Sequence, residues 1–131
     1  MVKKKKVTMT VEKTKIGFSA FSADYPIFMT GQSIPKLINN TYEVTEYYFE
    51  EEKVKVDPTD IGFEIDFKQF FKFYKVLNAK FLAEKIGMNA TLLSQYVSGT
   101  KKPSAKQTEK ILSGIHQIGQ ELSAINLLQT A

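Results

Sequence analysis

The chain has 131 residues, with 18 Lys, no Arg, 14 Asp and Glu, one His and no Cys, for a net charge of +4. That length holds one ordinary domain or two small ones. The lack of cysteine excludes a disulfide framework, a thiolate metal site and a thiolate nucleophile, and His116 cannot build a metal cluster by itself, so neither metal nor cofactor is expected. No apolar run approaches the roughly 18 to 20 residues needed to cross a bilayer. Lys3 to Lys6 is followed by Val-Thr-Met-Thr-Val-Glu in place of an apolar signal core, so the expected location is cytoplasmic, with no membrane partner.

The charge divides unevenly when the chain is cut after Asp66. Residues 1–66 carry nine Lys against eleven Asp and Glu, or −2. Residues 67–131 carry nine Lys against Glu84, Glu109 and Glu121, or +6. A basic half can hold a polyanion through counterion release, whereas an acidic half suits a basic protein surface.

Val7, Met9 and Val11 alternate with Thr8, Thr10 and Glu12, the period of a strand with one buried face. A turn at Lys13-Thr14-Lys15, a second strand over Gly17 to Ala23, a break at Asp24-Tyr25-Pro26 and a third strand over Ile27 to Thr30 come next. Ser33 caps a helix expected from Ile34 to Phe49, with Leu37, Thr41, Val44 and Tyr48 on its inner face and Glu50-Glu51-Glu52 at its end. Lys53 to Val56 and Gly62 to Ile65 can add strands around the Asp57-Pro58 turn. Residues 1–66 are therefore read as a small α+β domain of ββαβ type.

Residues 67–131 change to helical periods. Asp66 and Gln69 have capping-box spacing ahead of a helix whose inner face is Phe67, Phe70, Phe71 and Tyr74. Asn78 caps a second helix with Leu82, Ala83 and Ile86 on one face and Gly87 at its stop. Asn89 caps a third, with Leu92, Leu93, Tyr96 and Val97 inside and Ala90, Thr91, Ser94, Gln95 and Ser98 outside. Ser104, with Gln107 three residues on, caps a fourth helix expected from Ala105 to about Leu127, in which Gly114 and Gly119 are expected to mark close approaches.

Two short helices separated by Gly87-Met88-Asn89 have helix-turn-helix spacing, which puts the start of the later helix against base edges in a major groove. With no arginine, the commonest bidentate reader of guanine is missing. Gln95 can pair bidentately with adenine, Asn89 and Thr91 can reach a base or phosphate, and Ala90 can touch a thymine methyl. Lys101 and Lys102 suit phosphate, where they hold register. Asn78 and Ser94 complete the candidate DNA-binding set.

The run Asn78-Ala79-Lys80-Phe81-Leu82-Ala83-Glu84-Lys85-Ile86-Gly87-Met88-Asn89, then Leu92-Leu93-Ser94-Gln95, Gly99 and Pro103-Ser104, resembles the Xre and Cro-type repressors over roughly residues 66–120. Val97 stands where many relatives have Glu, and Leu92-Leu93 makes the later helix greasier than usual. The resemblance implies an all-α, lambda-repressor-like helix-turn-helix domain over 67–131 that binds double-stranded operator DNA. Ile111, Ile115, Ile118, Leu122 and Ile125 form a heptad seam in the fourth helix, and its outer end is expected to pair with a second copy, matching a palindromic operator. A clasp onto residues 1–66 is the alternative use of that seam.

Gly17, Asp24, Pro26 and Thr30-Gly31, followed by a capped helix with an acidic end, resemble the HicB antitoxins. This chain lacks the glycine usual after the proline and the residue usual between Thr and Gly. The resemblance implies a partial RNase-H-like domain over 1–66 that binds and inhibits a small basic ribonuclease toxin. Asp24, Tyr25, Phe28, Glu50 and Glu51 are then the candidate toxin contacts, and the second domain represses the chain's own operon. A nuclease would need several carboxylates around metal ions, and the first strands offer only Glu12 and Asp24, so no enzyme is expected. A stand-alone repressor with a ligand- or protein-sensing first domain is the other reading.

Overall fold

The computed structural model describes Lys3, Lys4 and residues 6–127. Short β1 (Lys3–Lys4) precedes β2 (Val7–Lys13), in which alternation puts Val7, Met9 and Val11 on one buried face. β3 (Phe18–Ser22) and β4 (Phe28–Gly31) continue antiparallel, and α1 (Ile34–Glu50) comes after them with Ser33 as its N-cap. β5 (Val54–Lys55) pairs parallel with β1. A 3-10 turn, Pro58–Asp60, leads into β6 (Ile61–Ile65), which runs parallel to β2. The sheet order is β4-β3-β2-β6. Three of its strands precede the helix, one more than a ββαβ unit contains.

Among the described residues there are five α-helices besides this mixed four-stranded sheet, so the fold is α+β. The others are α2 (Phe67–Phe73), α3 (Ala79–Ile86), α4 (Ala90–Ser98) and α5 (Ala105–Ser123). No described helix is long and apolar enough to cross a membrane.

The chain divides into two units between Phe73 and Tyr74. The expected boundary lay after Asp66, and the displaced segment is α2. Its Asp66 cap works as expected on the backbone side, accepting from the Gln69 N–H at 3.1 Å. The Gln69 side chain leaves the expected capping box and makes two bonds to the Lys13 backbone: the Lys13 N–H donates to Oε1 at 2.8 Å, and Nε2 donates to the Lys13 carbonyl at 2.6 Å. Lys13 Nζ also lies 4.9 Å from the Phe18 ring centroid and 5.1 Å from that of Phe73. These contacts tie α2 to the end of β2, in the first unit.

The core of the first unit is Val7, Met9, Val11, Ala20, Ile27, Met29, Leu37, Phe49 and Ile61. α1 covers it with Leu37, Thr41, Thr45 and Phe49, a row of four-residue steps; Tyr48 is half-buried against the core beside that row, and Val44, expected inside, is exposed. Thr41 can be buried because its hydroxyl donates to the Leu37 carbonyl at 2.7 Å. The helix sits low on the sheet: a Cβ on Gly31 would lie 2.6 Å from the Leu37 nitrogen and 2.7 Å from its Cα, and one on Gly17 would run into the Gly31 carbonyl oxygen.

In the second unit Leu82, Ala83, Met88, Leu93, Tyr96 and Ile111 are buried. Gly114 of α5 faces Ile86 and Leu82 of α3, and a Cβ there would collide with the Ile86 side chain. Gly119, expected to mark a similar approach, has nothing within 4 Å of its Cβ position. Lys85 Nζ and Glu121 Oε2, 2.8 Å apart, join the same two helices. α5 stops at Ser123, so Ile125 of the expected heptad seam lies beyond it. Along that seam exposure rises from 0 % at Ile111 to 61 % at Leu122 and 70 % at Ile125.

Candidate functional site

Three N-caps shape the second unit. Asn78, Asn89 and Ser104 each accept, through a side-chain oxygen, the N–H three residues on, at 3.1 Å in every case. Between the first two, α3 ends on Gly87 with φ 69° and ψ 34°. That left-handed backbone costs a residue with a Cβ about 1 kcal/mol or more, and glycine carries no such cost. The Gly87 N–H then reaches back to Ala83 and Glu84, and the Met88 N–H donates to the Ala83 carbonyl at 2.9 Å. Met88 is buried, so the turn is held by an apolar anchor as well as by hydrogen bonds. The sequence places Met88 in the turn without announcing that role.

On α4 the structure exposes Ala90, Thr91, Ser94 and Ser98, leaves Gln95 half-buried, and buries Leu93 and Tyr96. Leu92 and Val97, expected inside, are only partly covered. Residues four apart stack on a helix, so Thr91 lies beside Gln95 and Ala90 beside Ser94. None of the nine residues of α4 is charged.

The Gln95 carbonyl gathers the next stretch of chain. It accepts from the Thr100 N–H at 2.9 Å, the Lys101 N–H at 3.2 Å and the Ser98 hydroxyl at 3.2 Å. The Lys101-Lys102 loop is thereby fixed to the helical turn that carries the Gln95 side chain. Both lysines are exposed. Asn78 and Asn89 are exposed too, but each amide oxygen is committed to its cap.

In the first unit the candidate toxin contacts separate. The Tyr25 ring packs edge-on against Phe49 at 4.9 Å and lies 6.2 Å from Tyr48, so it belongs largely to the core. Asp24 is exposed in the bend between β3 and β4, and Phe28 is 63 % exposed on β4, pointing away from the buried Met29 next to it. Glu50 and Glu51 are exposed at the end of α1. The structure adds Glu43, Glu46 and the 70 %-exposed Tyr47 on the outer face of that helix. The observed inner row is turned a little from the expected one: with Thr45 and Phe49 facing inward, Glu43, Glu46, Tyr47 and Glu50 share the outside.

The revised boundary changes the electrostatics. Residues 1–73 carry eleven Lys and eleven acids, whereas residues 74–131 carry seven Lys and three acids, so the whole net charge of +4 belongs to the second unit. Five of the eleven acids of the first unit, Glu43, Glu46, Glu50, Glu51 and Glu52, lie on α1 or just past its end. Among the described residues no group of three or more His, Asp or Glu side chains could hold a metal ion.

Comparison of the chain with protein-family models, with curated proteins and with solved structures gives no match in any of the three.

Proposed function

We propose that the chain is an antitoxin of HicB type that represses its own operon: the second unit binds operator DNA as an Xre-type helix-turn-helix, and the first holds a small basic ribonuclease. The observation that carries this reading is the α3–Gly87–α4 arrangement. A short uncharged helix presents Ala90, Thr91, Ser94 and Gln95, with Lys101 and Lys102 fixed to its last turn, in the unit that holds the net positive charge. Such a helix can enter a major groove, and such lysines can hold the flanking phosphates. The partly uncovered seam of α5 supports a second copy there, two helices reading two half-sites.

For the first unit, Gly17 and Gly31 both carry the HicB resemblance, and they meet backbone to backbone. That supports reading them as one structural feature. The acidic outer face of α1, with Tyr47 at its centre, suits a basic partner through charge complementarity and an aromatic anchor.

The test is purification of the tagged full-length chain from its host. A small basic protein is expected to co-purify, to cleave RNA when freed, and to be silenced by adding the chain back. Reversing charge at Glu46 and Glu50 together is expected to weaken that inhibition. No such partner, together with a small molecule that alone changes operator affinity, selects the stand-alone repressor.

A further inference from the structure

We infer that the DNA site of this protein is read at A·T base pairs, with one adenine per half-site fixed by Gln95 and the neighbouring thymine by the methyl groups of Thr91 and Ala90. The inference rests on the DNA-binding reading above and adds the base class that α4 can recognise.

In the major groove, guanine is read by the paired donors of Arg or Lys, and cytosine by a carboxylate that accepts from its amino group. α4, Ala90–Ser98, contains none of these four residue types. The chain has no arginine anywhere. Adenine instead offers an acceptor and a donor side by side, which only an amide matches with both its groups.

The structure reduces the amide candidates to one. Asn89 has its oxygen turned onto the Leu92 N–H at 3.1 Å, so swinging its amide onto a base for the paired contact would cost the helix its cap. Asn78 is committed in the same way to Phe81. Gln95 uses its backbone carbonyl to hold the loop, and that leaves the side-chain amide as the group available to a base. Ser98 drops out as a reader because its hydroxyl bonds the Gln95 carbonyl and the Thr100 hydroxyl, the latter at 2.8 Å. Ser94 remains, and a serine hydroxyl donates or accepts without choosing a base.

Thr91 is four residues before Gln95 on the same face, about 6 Å along the axis. Base pairs are stacked about 3.4 Å apart. The methyl groups of Thr91 and Ala90 therefore meet bases one or two steps from the adenine, where the thymine C5-methyl is the apolar partner.

The full-length chain is incubated with a pool of randomised duplex DNA, and the bound fraction is amplified and sequenced over several rounds. The expected result is a half-site with a fixed adenine and a thymine within two base pairs of it. Replacing that A·T pair by G·C is expected to lower affinity roughly 5- to 150-fold. Gln95→Lys, which restores a guanine reader, is expected to move the preference at that position to guanine. A half-site with fixed G·C pairs at the Gln95-dependent position overturns the inference while leaving DNA binding intact. Salt-sensitive binding with no enriched sequence also overturns it. Absence of any salt-sensitive binding removes the DNA-binding reading itself.

Discussion

Replacing Gln95 by alanine is expected to lower affinity for the native operator about 5- to 150-fold and to leave affinity for random duplex DNA nearly unchanged. The split arises from where the two kinds of contact reside. Gln95 offers the only side-chain amide on α4. Its backbone carbonyl, which fixes Thr100 and Lys101, survives the substitution, so the Lys101-Lys102 loop keeps its place. The half-buried position of the side chain at the surface of α4 limits the cost in folding to well under that of a core truncation. Competition binding with labelled operator and scrambled DNA measures both affinities in one series. Equal losses on the two DNAs would mean that Gln95 shapes the helix and does not read a base.

The second large effect concerns stability. Gly31→Ala is expected to destabilise the first unit by about 3 kcal/mol, because the added methyl meets backbone. A side chain can rotate away from an intruding Cβ, but the Leu37 nitrogen and Cα, 2.6 and 2.7 Å from the Gly31 Cβ position, belong to the first turns of α1. Relief requires lifting the helix off the sheet, and Leu37, fully buried, rises with it. Gly62→Ala is the matched control, since nothing lies within 4 Å of its Cβ position. Thermal unfolding followed by circular dichroism should show a loss on the order of 10 °C for Gly31→Ala and a change within about 2 °C for Gly62→Ala. Similar melting of both variants would show that α1 does not rest on Gly31.

Much of this architecture was legible because local chemistry and tertiary packing agree. Ser33, Asn78, Asn89 and Ser104 cap the helices expected of them, and the alternation in Val7 to Val11 marks a strand buried on one face. Where the sequence misled, a distant partner decided. Val44 looks like a better core residue than Thr45, but the sheet meets the row Leu37, Thr41, Thr45 and Phe49, with Tyr48 half-buried beside it, and the Thr41 hydroxyl is satisfied by its own helix. Nothing local announces that. Gln69 has capping-box spacing, but its amide is claimed by the Lys13 backbone, 56 residues before it in the chain. That long-range bond also moves the domain boundary, since α2 shares its helical period with the helices of the second unit and its contacts with β2 of the first.

The candidate site shows the same division. The outward set on α4 comes from helical period, and the structure exposes Ala90, Thr91, Ser94 and Ser98. Removing Ser98 and Asn89 from the paired readers required the hydrogen bonds of folded loops. On α1, the outer acidic face with Tyr47 became visible only once the inner row was known. Tyr25 moved the other way, from contact candidate to core, because its partners Tyr48 and Phe49 lie more than twenty residues ahead in sequence.

If the lysine loop of the second unit grips DNA phosphate while α4 lies in the groove, the salt dependence of operator binding reads it out. Full-length chain and the Lys101→Ala, Lys102→Ala double variant are titrated against DNA from upstream of the gene across a range of salt concentrations. Log K is expected to fall linearly with log salt, less steeply in the double variant by nearly two, at about 0.9 per lost phosphate contact. An equal slope in both proteins would contradict it.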